Sequence, residues 1–262
     1  MSLPAILFHV FPRPLPYQST WALQERIHQL QLSLRKASVH PDILLILQHR
    51  PTYTSGRRQT ESSIADERRR LQNLGADFIP ATRGGQLTYH GPGQIVGYPL
   101  IDLSRYTPTM GARDYVCRIQ NMLKSYLKES HGIISAPSEH TGVFLDDVTK
   151  IASIGVQVRH RLTSHGFAIN VTQEPLSWFD KIVACGLDDV KAGSIESHLQ
   201  TPILYDTEAT QIVAQLGKAL ERNMVKLNVE QEPEIGAAIS EIENIAEEAG
   251  SWLMEPRAED ES

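Results

Sequence analysis

Cysteine is scarce: only Cys117 and Cys185 occur in 262 residues, with no Cys-x-x-Cys pair. Neither a disulfide framework nor a structural zinc site is expected, and a reducing compartment is the natural home. The ten histidines are scattered without ligand spacing, so no metal is expected. Basic charge is short as well. Lys and Arg number 25 against 31 Asp and Glu, a net charge of −6. That balance argues against broad nucleic-acid binding, which needs a cationic face to displace counterions from phosphates. Arginines do gather at Arg57, Arg58, Arg68, Arg69 and Arg70, as a solvated helix face or a contact for an acidic partner. Long apolar runs are missing: no stretch approaches the roughly 18 residues of a membrane span. The segment Met1–Pro16 holds Pro4, Pro12, Pro14 and Pro16. It lacks the basic start and apolar run of a secretory signal and matches an Arg-rich transit peptide poorly. No internal repeat is found.

What remains is the composition of a soluble globular protein, 41% hydrophobic and 21% charged, long enough for one large domain or two merged lobes. Residues 17–36 read as a helix capped by Ser19 or Thr20, with Trp21, Leu23, Ile27, Leu30 and Leu34 on one face. Ile43–Leu47 is a continuous apolar run, as in a strand buried on both faces. Residues 63–74 read as a helix stopped by Gly75, and 76–79 and 94–103 as strands around a glycine-rich turn. A second amphipathic helix spans Gly111–His131, with Val116, Ile119, Leu123 and Leu127 inward and Gly132 closing it. Short strands follow at 133–136, 142–145, 151–158 and 163–171, then a helix from Thr207 to about Met224. Interleaved strands and helices predict an α/β (α+β) chain, a mixed sheet flanked by helices. The catalytic domain is assigned to residues 1–230. Residues 231–262 form an acidic extension, expected to be partly helical or frayed.

Three segments carry chemistry. The densest is Arg83-Gly84-Gly85-Gln86-Leu87-Thr88-Tyr89-His90-Gly91-Pro92-Gly93-Gln94. Its glycines allow close backbone approach to a ligand, Arg83 brings a fixed cation, and Tyr89 and His90 bring an aromatic wall and a titratable donor. It has the spacing of neither a phosphate loop nor a dinucleotide fingerprint. In the second, Asp146-Asp147 marks a hairpin turn, so Lys150 begins the returning strand. The small residues Ala152, Ser153 and Gly155 then suit the floor of a channel. In the third, an apolar run delivers Cys185 to Gly186, exposing the thiol at an element end. Cys117, set in a helix, reads as a small buried hydrophobe. A thiol with a pKa of about 8.5 needs a nearby cation to act at neutral pH, and Lys150, His90 and His165 are the candidates.

Arg83–Gln94, Lys150-Ile-Ala-Ser-Ile-Gly155, His165-Gly-Phe-Ala-Ile-Asn-Val171 and Cys185-Gly186, in that order, closely resemble the lipoyl(octanoyl) transferase family over about residues 5–200. The resemblance implies a biotin/lipoate–protein ligase-like fold. It implies transfer of octanoyl, or lipoyl, from octanoyl-acyl carrier protein through a cysteine thioester to a lipoyl-domain lysine. Cys185 matches the nucleophile and Lys150 the residue that lowers its pKa. Arg83, Gly84, Gly85, Gln86, Leu87, Thr88, Tyr89, His90, Ser153, Ile154, Gly155, Gly166, Phe167 and Ala168 match the acyl pocket. The donor is a phosphopantetheine thioester and no separate cofactor is implied. The acceptors are lipoyl domains of 2-oxoacid dehydrogenase complexes and the glycine cleavage H protein, and neither nucleic acid nor membrane is a partner. The location is mitochondrial if the chain is eukaryotic and bacterial cytoplasm otherwise. One departure is Ala184, where the family often has proline before the cysteine. The rival readings are an ATP-dependent lipoate–protein ligase, which carries a different glycine-rich loop and needs no cysteine, and a non-catalytic binder of lipoyl domains or carrier protein.

Overall fold

The computed structural model describes residues 3–37, 40–57, 59–183 and 189–258. The first half comprises β1 (Ile6–Val10), α1 (Tyr17–Leu34), β2 (Asp42–Leu47), β3 (Thr52–Ser55), α2 (Glu61–Asn73), β4 (Asp77–Pro80), β5 (Thr88–His90), β6 (Gln94–Leu100) and α3 (Ala112–His131). The second comprises β7 (Val143–Phe144), β8 (Thr149–Arg159), β9 (Leu162–Asn170), α4 (Glu174–Phe179), β10 (Lys191–Ala192), α5 (Ile195–Leu199), α6 (Tyr205–Leu220), β11 (Met224–Lys226) and α7 (Pro233–Glu248).

The large sheet runs β10-β8-β9-β6-β2-β1-β11, with β7 on β8, and a small sheet runs β4-β3-β5. Both are mixed, as expected: β1 is parallel to β2 and β11, whereas β2, β6, β9 and β8 pair antiparallel. Successive residues of a strand face opposite sides. On β2, Leu44 and Ile46 join a core with Ile119, Leu123, Ile212 and Leu216 of α3 and α6. Ile43, Leu45 and Leu47 join another with Leu23 and Ile27 of α1 and Ile239 and Ile242 of α7. β2 is buried throughout. A third core belongs to the small sheet with α2 and α4, around Tyr53, Leu74, Phe78, Tyr89 and Trp178.

Several expectations change. Helix α1 starts directly after Pro16, whose extended backbone (φ −60°, ψ 133°) precedes the first turn, so neither Ser19 nor Thr20 caps it. Thr20 instead donates its hydroxyl to the Tyr17 carbonyl at 2.8 Å. Helix α3 ends at left-handed Gly132 (φ 67°) as foreseen, but Val116 borders a cavity instead of the core, and Cys117 is exposed. Residues 133–136 contribute only an isolated bridge, Ala136 to Phe144. The acidic extension is a docked helix where fraying was an option: Ile235, Ala238, Ile239, Ile242 and Ala246 recur every three or four residues and are buried. Arg69 and Arg70 pair with Asp66 and Glu67 on their own helix. Among the described residues no helix is long and apolar enough to cross a membrane.

Candidate active site

β8 and β9 form a long antiparallel pair that puts the second and third glycine-bearing motifs opposite each other. Ser153 faces Ala168, Ile154 faces Phe167, Gly155 faces Gly166 and Val156 faces His165. Sequence order alone could not show that register. The small residues permit close approach from outside. A Cβ on Gly155 would stand 3.1 Å from the Gly84 carbonyl oxygen and 3.2 Å from Arg83 Cδ, so the Arg83–Gly84 turn lies against this strand. A Cβ on Gly97 of β6 would stand 2.3 Å from Phe167 Cζ, so the tip of that ring occupies the space the glycine leaves.

These elements enclose a cavity of about 460 Å³, within the range of small-molecule sites. Of the residues singled out, Arg83, Gly84, Gly85, Thr88, His90, Lys150, Ser153, Ile154, Gly155, Gly166, Phe167 and Ala168 line it. Three do not. Leu87 and Tyr89 alternate with Thr88 and His90 along the strand direction and turn into the small-sheet core. Gln86 lies in the turn, its backbone against Gly56. The cavity also takes in Tyr17, Tyr98, Val116, Val156, the segment Glu139–Thr141 and His165, which was considered only as a cation. Tyr17, Tyr98 and 139–141 come from three separate elements, and no local motif signals them.

The inner wall holds a chain of side-chain hydrogen bonds. His90 Nδ1 meets Gln94 Oε1 at 3.2 Å; Gln94 Nε2 donates to Asn170 Oδ1 at 2.9 Å, and Asn170 Nδ2 to the Gly193 carbonyl at 2.8 Å. His165 is a non-glycine residue in left-handed backbone (φ 57°), and its N–H donates to Gln24 Oε1 of α1 at 2.8 Å. Burial, reinforced by Arg83, pushes the His165 imidazole down to about 3. Burial, with His49 and Arg83 nearby, also holds His90 well below the ordinary range. Behind them His49, bonded to the Tyr98 hydroxyl at 2.6 Å, is lowered by burial to about 3. The Tyr17 phenol is pushed up to about 12 by the same desolvation. The cations on the wall are Arg83 and Lys150. Arg83 is fixed by Nη2 donating to the Thr54 carbonyl and hydroxyl, both at 2.6 Å.

Lys150 is 9% exposed although it follows a turn. The Asp146 carboxylate accepts from the N–H groups of Val148 and Thr149, forming the turn that launches β8. The Lys150 side chain runs over Gly142, where a Cβ would lie 2.6 Å from its Cε. Its Nζ stands 5.5 Å from the centre of the Phe144 ring. A second, narrower slot of about 20 Å³ shares Lys150, Ser153 and Ala168 with the cavity and adds Phe179, Val190, Lys191 and Ala192. Lys150 therefore stands where the cavity meets the end of α4 and the start of β10. Ala192 pairs with Lys150 in register, and Gly193 N–H donates to the Lys150 carbonyl at 2.9 Å. Cys185 and Gly186 lie outside the described residues, in the link between those two elements. Among the described residues no group of three His, Cys, Asp or Glu could hold a metal.

Residues 16–217 match the lipoyl protein ligase A/B catalytic domain. An octanoyltransferase of Caldicellulosiruptor saccharolyticus is 37% identical over 77% of this chain and 83% of its own length. The mitochondrial octanoyl-[acyl-carrier-protein]:protein N-octanoyltransferase of Danio rerio is 36% identical over 73% and 82%. Among solved structures, lipoate-protein ligase A bound with ATP superposes with a TM-score of 0.61 at 12% identity, covering 97% of this chain and 99% of that one. The bipartite lipoate protein ligase of Thermoplasma acidophilum also gives 0.61 at 12% identity, covering 93% of each. At that identity the structures establish the fold, a lipoate–protein ligase-like mixed sheet flanked by helices. The curated relatives establish an acyltransferase enzyme. The chain belongs to the lipoyl(octanoyl) transferase family.

Proposed function

We propose that the protein moves an octanoyl, or lipoyl, group from acyl carrier protein through a thioester on Cys185 to a lysine of a lipoyl domain. The observation that carries this reading is Lys150, which lines both the cavity and the slot formed with the elements flanking Cys185. The acyl chain lies along Ile154, Gly155, Phe167 and Ala168, each buried methylene contributing about 0.8 kcal/mol. Thr88, His90 and Arg83 line the polar end. The Cys185 thiolate attacks the donor carbonyl; a C–S bond forms, and the phosphopantetheine sulfur leaves and takes up a proton. The acceptor amine then attacks the enzyme thioester, forming the amide as the C–S bond breaks and the amine's proton returns to sulfur. The scheme draws on no metal or free cofactor.

Residues 1–230 form the catalytic domain on this reading and 231–262 its extension. A relative named as an octanoyl-[acyl-carrier-protein]:protein N-octanoyltransferase supports the donor, and an archaeal ligase described with its E2 lipoyl domain supports a lipoyl-domain acceptor; on this reading the acceptors are the lipoyl domains of 2-oxoacid dehydrogenases and the glycine cleavage H protein. Mitochondrial relatives support that location if the chain is eukaryotic, with bacterial cytoplasm as the alternative.

The test is intact-mass analysis after mixing with octanoyl-acyl carrier protein in the absence of ATP. The expected outcome is a gain of one octanoyl group, lost on adding a lipoyl domain and absent in Cys185→Ser. An absolute requirement for ATP and free acid would overturn it in favour of a ligase.

A further inference from the structure

We propose that residues 251–257 are a positioning strap that fixes the small sheet against the large one and so sets the cavity's shape. The strap lies beyond the matched region 16–217. It begins where α7, docked on the large sheet, ends at left-handed Gly250 (φ 69°). It first crosses the link between β2 and β3, the joint between the two sheets. There Arg50 Nη2 donates to the Ser251 carbonyl at 2.8 Å, and the guanidinium lies 5.7 Å from the Trp252 ring centre. Leu253 then packs on the small-sheet core. Its Cδ1 occupies the space above Gly75 (φ 100°), where a Cβ would come within 2.3 Å. The Met254 carbonyl accepts from Trp178 Nε1 at 3.1 Å, and Arg257 N–H donates to the Leu74 carbonyl at the end of α2 at 3.0 Å.

Trp178 links the strap to the cavity. Its ring stacks on Tyr89 at 5.4 Å with the planes 6° apart, and its carbonyl accepts from the Tyr53 hydroxyl at 2.8 Å. Tyr89 lies between Thr88 and His90, both in the cavity wall. Ties of the small sheet and the cavity turn to the large sheet include Gly84 N–H to the Val156 carbonyl at 3.4 Å, the Thr82 hydroxyl to Gln157 Oε1 at 3.2 Å and to His165 Nε2 at 3.4 Å, and Gln94 of β6 to the Tyr89 carbonyl at 3.3 Å and to the His90 ring at 3.2 Å. The strap adds a second support, from outside, to these inner ties. Leu253 and Trp178 are thus positioning residues, acting through Tyr89 on Thr88 and His90.

Only the kinetic part of the test rests on the acyl-transfer reading. Two variants are compared with the full chain, one ending at Gly250 and one carrying Leu253→Ala. Hydrogen–deuterium exchange should rise about tenfold in 74–90 and 174–179 and remain unaltered in 42–47 and 112–131, the signature of local loosening. The KM for octanoyl carrier should rise about tenfold, with a smaller change in kcat, as befits a displaced binding wall. Leu253→Met should restore both. Unaltered exchange in 74–90 in both variants, or equal loss of protection across the large sheet, overturns the proposal. If the shortened chain does not fold, Leu253→Ala decides. If the full chain transfers no octanoyl group, the functional reading fails, and the exchange pattern still decides the strap.

Discussion

Lys150 owes its position to two neighbours that lack ordinary bulk or charge. Gly142, with φ 131°, leaves room for the lysine stem, and the Phe144 face attracts its ammonium. The histidines on the wall cannot substitute as cations, because His165 titrates near 3 and His90 is also held low by burial. With both histidines held neutral, Lys150 is the candidate activator that remains. Lys150→Ala should move the pH midpoint of Cys185 alkylation upward by about one unit, equivalent to about 1.4 kcal/mol. Lys150→Arg should keep part of that charge, yet turn over poorly if the lysine also relays the acceptor's proton, since guanidinium does not deprotonate. The measurement belongs in a Cys117→Ser background, because Cys117 is exposed on α3 and would react as well. An alkylation profile for Lys150→Ala that overlays the parent removes the lysine from the role.

At the scale of elements, legibility in the sequence follows amphipathic length. α3 is written out by apolar residues three and four apart between Gly111 and Gly132, and β2 by an unbroken apolar run. The small sheet is not. β3 is Thr-Tyr-Thr-Ser, β5 has three residues, and both persist because Tyr53, Tyr89 and Trp178 pack between them and α4. The same limit applies to the cavity. Its motif residues are named by the glycine-rich segments together with the family resemblance, whereas Tyr17, Tyr98 and Glu139–Thr141 reach it only through the fold. In α7 the acidic residues mask an apolar stripe that was present all along. Ile239 is 1% exposed there. Ile239→Ala should therefore cost about 2–4 kcal/mol in urea unfolding, the usual range for a buried aliphatic truncation. Transfer activity at low temperature should be unchanged. A loss below about 0.5 kcal/mol, typical of a surface site, would mean the helix is not docked.

At the scale of the whole molecule, burying neutral histidines in and behind the cavity wall has a consequence for stability against acid. His49, His90 and His165 are buried and neutral in the folded chain, two of them titrating near 3, while in the unfolded chain each binds a proton near 6.5. The unfolded state thus holds more protons below pH 6.5, so stability is full above that value and declines as pH falls toward 3. Each histidine contributes a slope of about 1.4 kcal/mol per pH unit in that window. Two buried aspartates act differently. Asp102, lowered to about 2, loses its contribution only below the ordinary carboxylate range. Asp42 is raised by burial, so its protonation on acidification opposes the histidines. Urea midpoints should therefore be level from pH 7.5 to about 6.5 and then fall steadily to pH 5.0. His165→Gln, which leaves the Gln24 bond to the backbone N–H of residue 165 available, should fall less steeply by one histidine's share. A profile flat down to pH 5.0, or one with the same slope in the variant, would show that these imidazoles are protonated inside the fold.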